Sequence, residues 1–350
     1  MRKIVLIALL TIFLFSCSSD KKFISAPRYS KIKMDTLLAE KISCRALAID
    51  GNKVWYSANQ GKYGYISLVD STDFSAVVAK ENLKLEFRSI AQTSQSIFIL
   101  SVANPALLYK IDKETKQIVL VYQENTEKVF YDSMLFMNNQ EGIAIGDPTS
   151  VCPSIITTND GGTTWKKRSC DTLPNFADGE AFFAASNTNL VYKNNTLIMV
   201  SGGKKSRAFT SKDKGENWQI FETPIVQGNV MTGVFTADFY DENTGFIAGG
   251  NYEKPFQNFQ NKAFTTNGGK TWALVAENEG FGYASCVQYL PYSAGKAILE
   301  VGANGVFYSR DGGKKWKQLA PDKDFIAFRF VDNKTLVASG KDRIVKIVLK

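Results

Sequence analysis

The chain has 350 residues, enough for one large domain or two average ones, with 44% apolar and 22% charged residues, a globular rather than disordered balance. A net charge of +8 is spread along the chain without a helix-turn-helix, zinc-finger or RNA-binding signature, so a solvated basic surface is expected and no nucleic-acid partner. Histidine is absent, which excludes Ser-His-Asp and Cys-His nucleophile systems and every His-ligated metal site.

In chain order, the first element is an address. Met1-Arg2-Lys3 is basic, and Ile4 to Phe15 is an apolar run too short to span a bilayer as a stable helix. Leu14-Phe15-Ser16-Cys17 follows, and it resembles the lipobox of bacterial lipoproteins. That resemblance implies a signal peptide over 1–17, lipidation at Cys17 and attachment to a membrane by acyl chains. Ser18 after the cysteine implies the outer membrane of a bacterial envelope rather than the inner one. The polar segment 18–30 reads as a flexible tether, and 31–350 as one domain.

Within the domain, "CRALAIDGNKVWYSANQGKYGYISLVD" (44–70) and "FRSIAQTSQSIFILSVANPALLYKID" (87–112) each read as strands ending in turns. Four octets then share one rule: Ser/Thr, any, Asp/Asn, any, Gly, any, any, Trp. They are Thr158 to Trp165, Ser211 to Trp218, Thr265 to Trp272 and Ser309 to Trp316, and they hold four of the five tryptophans. Their acid or amide positions are Asp160, Asp213, Asn267 and Asp311, and the glycines at their fifth position are Gly162, Gly215, Gly269 and Gly313. Gly supplies the positive φ of a tight turn, the hydroxyl and carboxylate can bond backbone N–H groups of that turn, and Trp anchors the next strand. Because Asn267 replaces the acid, the position needs an acceptor and not a charge, which argues against catalysis or metal ligation there.

Each octet follows a short apolar strand ending in Gly, and another strand candidate precedes that one: "DSMLFM" (132–137), "EAFFAAS" (180–186), "VFTADFY" (234–240) and "SCVQYL" (285–290). Four strands per unit, with Asp160, Asp213, Asn267 and Asp311 spaced 53, 54 and 44 residues apart, predict a β-propeller blade. The last unit, 327–350, holds three strands, and "KIKMDTLLAEK" (31–41) is available as its fourth, closing the ring. The count is then seven blades, with six as the alternative. Cys152 and Cys170 flank the hairpin that turns at Gly161, where a disulfide or two free thiols would both fit; Cys44 and Cys286 have no argued partner.

The octets resemble Asp-box repeats, also called bacterial neuraminidase repeats. The order of "CRALAIDGNKVWYSANQG", "FYDSMLFMNNQEGIAIGDP", "DGEAFFAASNT", "GFIAGGNY" and "YASCVQYLP…VGANGVFYSRDGGKKW" is similar to exported bacterial propellers related to the photosystem II assembly and stability factor family. The resemblance implies a protein-binding scaffold or assembly factor with envelope protein partners, monomeric, without cofactor or metal. It also implies that innermost strands carry Arg45, Arg88, Asp132, Glu180 and Arg329 toward the central channel. A sialidase-like glycoside hydrolase is the alternative, with Asp132 and Glu180 as a possible carboxylate pair. A cofactor-dependent oxidoreductase is a third reading, without a Gly-x-Gly-x-x-Gly or Cys-x-x-Cys to support it.

Overall fold

The computed structural model describes residues 26–80 and 82–350. The chain is an all-β propeller. Antiparallel strands are arranged around a central axis in quartets whose first strand is innermost and whose fourth is outermost. The first quartet comprises 44–50, Lys53–Ala58, Lys62–Ser67 and Phe74–Val77. The next innermost strands are Phe87–Gln92, Tyr131–Phe136, Leu190–Lys193, Thr232–Phe239, Ala284–Tyr289 and Phe325–Phe330.

Six continuous hydrogen-bonded sheets result, the number the six-bladed alternative requires. One of them is composite. The strand Thr335–Leu349 turns back on itself at Asp342, which has φ 61°, and the Leu349 N–H donates to the Lys334 carbonyl across that hairpin at 2.8 Å. Its second leg pairs with 32–39, and the same long strand Ile32–Asp50 goes on to pair with Lys53–Ala58. The N-terminal strand therefore closes the ring against the C-terminal quartet, and this one sheet holds two four-stranded quartets, making seven in all.

Packing follows the quartets. The second strands are buried on both faces, as in Ser96–Ser101 and Gly142–Gly146, because each quartet is sandwiched between two others. A separate apolar cluster fills each interface between successive quartets, from Trp55 and Phe87 between the first and second to Tyr56 and Ile344 between the seventh and first.

The octets form the turns between third and fourth strands of the third to sixth quartets. Each closes on itself: Ser309 Oγ donates to Asp311 Oδ1 at 2.9 Å, accepts from the Gly313 N–H at 2.9 Å, and Asp311 accepts the Lys315 N–H at 2.9 Å. Thr158, Ser211 and Thr265 repeat the pattern with Asp160, Asp213 and Asn267. Gly313 has φ 87° and sits against the Phe246 ring of the preceding quartet, where a Cβ would lie 2.4 Å from Cε2. Cys152 and Cys170 are joined by a disulfide, while Cys44 and Cys286 are buried thiols.

Candidate functional site

The innermost strands share a local irregularity. In six of the seven, one residue near the strand start is skipped by the ladder, and these residues are Arg45, Arg88, Asp132, Phe235, Ser285 and Ile326. A bulge leaves its residue unpaired and re-aims the side chain, here at one end of the axis. We call this end the N-mouth, where innermost strands begin, and the other the C-mouth, where they end.

The fourth quartet breaks the pattern and corrects the sequence expectation. Its innermost strand is Leu190–Lys193, not 180–186. Glu180 lies on the two-residue strand Glu180–Ala181 paired with Gly202–Gly203, off the axis, in an ion pair with Arg207 and a hydrogen bond from Ser201. Asp132 and Glu180 therefore make no catalytic pair. The carboxyl whose charge acts on Asp132 is that of Asp147.

The reason is that residues 182–189 leave the ladder and cross the channel as a plug. Asn187 Nδ2 donates to the Ile90 carbonyl at 2.8 Å, and Asn187 Oδ1 accepts the Met134 N–H at 2.9 Å. Ser186 Oγ donates to the Ser285 carbonyl at 2.6 Å, and the Thr188 and Thr236 hydroxyls bond at 2.7 Å. Arg329 does not face a mouth freely: its guanidinium donates to the carbonyls of Ser186 and Asn187 at 3.0 and 3.3 Å. The plug is thus fastened to the second, third, fifth, sixth and seventh innermost strands. Its sequence, FFAASNTN, shows why: small hydroxyl and amide side chains satisfy strand groups that a continuous fourth strand would leave facing an open tunnel.

On the N-mouth side, Phe183 stacks on Phe235 with centroids 3.8 Å apart, and Tyr283 meets Phe235 edge-on at 4.8 Å. Asp132 is fully buried, and neither carboxylate oxygen has a hydrogen-bond partner of good geometry among the described residues. Burial, then the nearby Asp147 carboxyl, pushes its pKa well up, and burial lifts Asp147 to about 6. Arg88 is held by Glu86 at 2.8 Å. Arg45 keeps an unpartnered Nε, and burial followed by repulsion from Arg88 lowers its pKa. It lines a pocket of about 370 Å³ with Tyr252, Tyr283, Ser285, Lys323 and Phe325. The adjoining loop exposes Tyr252, Phe256 and Phe259.

The C-mouth is a cavity of about 490 Å³ floored by Asn187 and Thr188, with Gln92, Asp238, Gln288 and Arg329 among its lining residues. Asp238 accepts the Tyr289 N–H at 2.6 Å, and burial pushes its pKa up to about 6. Asp147, Asp238 and the plug were not foreseen. Asp147 and Asp238 carry no local motif. Among the described residues no cluster of three or more Cys, Asp and Glu suits a metal ion.

No family model and no curated relative matches the chain. Among solved structures it is similar to YCF48 bound to a D1 peptide (TM-score 0.66, 12% identity, 93% of this chain and 99% of that one). It is similar to YCF48 from Cyanidioschyzon merolae (0.63, 12%, 90% and 98%). It also resembles the GH74 xyloglucanase from Xanthomonas campestris (0.63, 11%, 90% and 53%). At these identities the likeness is one of fold, and the fold is that of the β-propellers, which include peptide-binding and glycan-processing proteins.

Proposed function

We propose that this chain is a non-catalytic scaffold or assembly factor of the bacterial envelope, anchored through Cys17, that holds an extended segment of a partner protein across its N-mouth. Cys17 lies outside the described residues. The observation carrying the reading is the pairing, at one mouth, of exposed Tyr252, Phe256 and Phe259 with the pocket of Arg45 and Lys323. Aromatic anchors beside under-paired cations suit a peptide with apolar and acidic side chains or a terminal carboxylate. The plug makes the mouth a rigid shallow surface rather than a tunnel, which lowers the ordering cost of binding. The YCF48 structure with its D1 peptide, similar in fold, supports peptide capture as a use of such a surface.

Affinity capture of the full chain from its native envelope tests this. A stoichiometric partner is expected, lost with Arg45→Glu and weakened by Phe256→Ala while the melting temperature holds. Capture of nothing, or of the same partner by all variants, would overturn the reading. Glycoside hydrolysis is favoured only by the neighbouring buried carboxyls of Asp132 and Asp147. Turnover of aryl glycosides abolished by Asp132→Asn would establish it instead.

A further inference from the structure

Residues 26–30 lie against the outer flank of the sixth quartet. Ala26 is buried, the Tyr29 ring sits 5.4 Å from that of Tyr308, and Tyr29 Oη donates to the Asn333 carbonyl at 2.9 Å. Tyr308 Oη donates to the Pro27 carbonyl at 2.9 Å, and the Ser30 N–H to the Lys350 carbonyl at 2.8 Å. A groove runs between this segment and the sixth-quartet octet. Its cations are Arg28, Lys296, Arg310, Lys314, Lys315 and Lys317, and the rings of Tyr29 and Trp316 lie among them.

All six cations are exposed. None forms an ion pair among the described residues. The groove's single acid, Asp311, is occupied by its own turn. The turn does not need this charge, because the positions of Arg310, Lys314, Lys315 and Lys317 hold Asn159, Thr163, Thr164 and Lys166 in the third quartet. In the fifth they hold Thr266, Lys270, Thr271 and Ala273. The fourth-quartet octet carries two, Lys212 and Lys214, beside Glu216, so three cations on one octet with a fourth directly after it occur at this flank alone among the four octets.

We propose that this flank is the surface the protein lays on an anionic phospholipid membrane, with the lysines and arginines among the headgroups and Tyr29 and Trp316 at the interface. The proposal rests on the reading that Cys17 is lipidated. Cys17 precedes Ala26 by nine positions, a reach of at most about 32 Å. The groove is therefore the part of the propeller that the anchor holds nearest the bilayer, and its charge complements the negative leaflet. With a flank on the membrane, the axis runs along the surface and both mouths stay open to the compartment.

The test reconstitutes the full chain, as produced in a bacterial envelope, into vesicles of phosphatidylcholine alone or with about 30% phosphatidylglycerol. The mass of the peptide bearing Cys17 reports lipidation separately. Lysine acetylation rates are then read residue by residue. In the anionic vesicles Lys314 and Lys315 should label at least about fivefold more slowly, while exposed Lys212 on the fourth quartet is unchanged. The protection should vanish in about 0.5 M salt and in a K314E/K315E variant whose melting temperature is unaltered. Equal labelling in both vesicle types with Cys17 lipidated overturns the proposal, as does protection by inorganic phosphate without vesicles. Should Cys17 prove unmodified, salt-sensitive flotation with the anionic vesicles, lost in K314E/K315E, supports the surface, and no flotation overturns it.

Discussion

Replacing Asn187 with Ala should unfasten the plug. The side chain makes a bidentate clasp on two neighbouring strands, donating to the Ile90 and Met134 carbonyls and accepting the Met134 N–H. Each such bond contributes about 1 kcal/mol, and an unsatisfied interior N–H costs about 1–3 kcal/mol. Asn187 also has φ 57°, a region that Asn tolerates and Ala resists by a further ~1 kcal/mol. The sum is about 3–4 kcal/mol for Ala, and Asn187→Gly, free of the backbone penalty, should recover about 1 kcal/mol of it. Urea unfolding of the two variants gives the totals, and amide exchange locates them, with the largest loss of protection at 182–189. A total below about 1 kcal/mol for Asn187→Ala, or uniform exchange, would refute the role given to this clasp.

Four other outcomes are expected. Cys152→Ser/Cys170→Ser opens a loop whose ends are 18 residues apart and should cost about 3 kcal/mol of unfolding free energy, an effect that reduction of the native protein reproduces. Asp238 has a folded pKa of about 6 against 3.8 for the free side chain, so the native state binds the extra proton and stability falls as pH rises from about 4 to about 6. Asp238→Asn should flatten that slope and gain up to about 2 kcal/mol at pH 7, read from urea midpoints across pH. Ser309→Ala removes the acceptor of the buried Gly313 N–H and should cost about 1–2 kcal/mol, and Gly313→Ala should cost more than about 2 kcal/mol because its Cβ strikes Phe246 at φ 87°; thermal melts rank the two.

Strand positions and ring closure were legible because they follow from local rules. Apolar runs ending in Gly mark strands, and a final unit short of one strand must find it elsewhere. Arg45, Arg88 and Asp132 were legible only through the family resemblance, and the bulge at which each stands in its innermost strand is a feature of the ladder that no local sequence pattern marks. Glu180 fails for a physical reason: "EAFFAAS" has the composition of a strand, but it runs into the plug 182–189, whose partners are donors and acceptors from five different quartets, which no local pattern encodes. Arg329 sits on an innermost strand as expected, yet the plug's carbonyls hold it, so its position alone did not reveal its bonding. The sheet count departs from seven because one strand, Ile32–Asp50, serves two quartets in a single continuous ladder, something spacing between octets does not record.

That shared strand also governs assembly and mechanics. Its first half is hydrogen-bonded to 343–349, so the ring stays an open arc until that segment has paired, and the first quartet must wait with the apolar side that holds Tyr56 uncovered. For a chain that emerges N-terminus first, closure comes after the first six quartets have formed, and it is the moment at which 30–39 become fixed. The same geometry sets how a pull is carried. Tension applied ahead of Ala26 passes through Ser30 and Lys31, both bonded to Lys350, into a strand flanked along its length by the C-terminal hairpin. Force from the beginning of the chain is thus met by its end, and the propeller is loaded at its clasp before any other seam is strained.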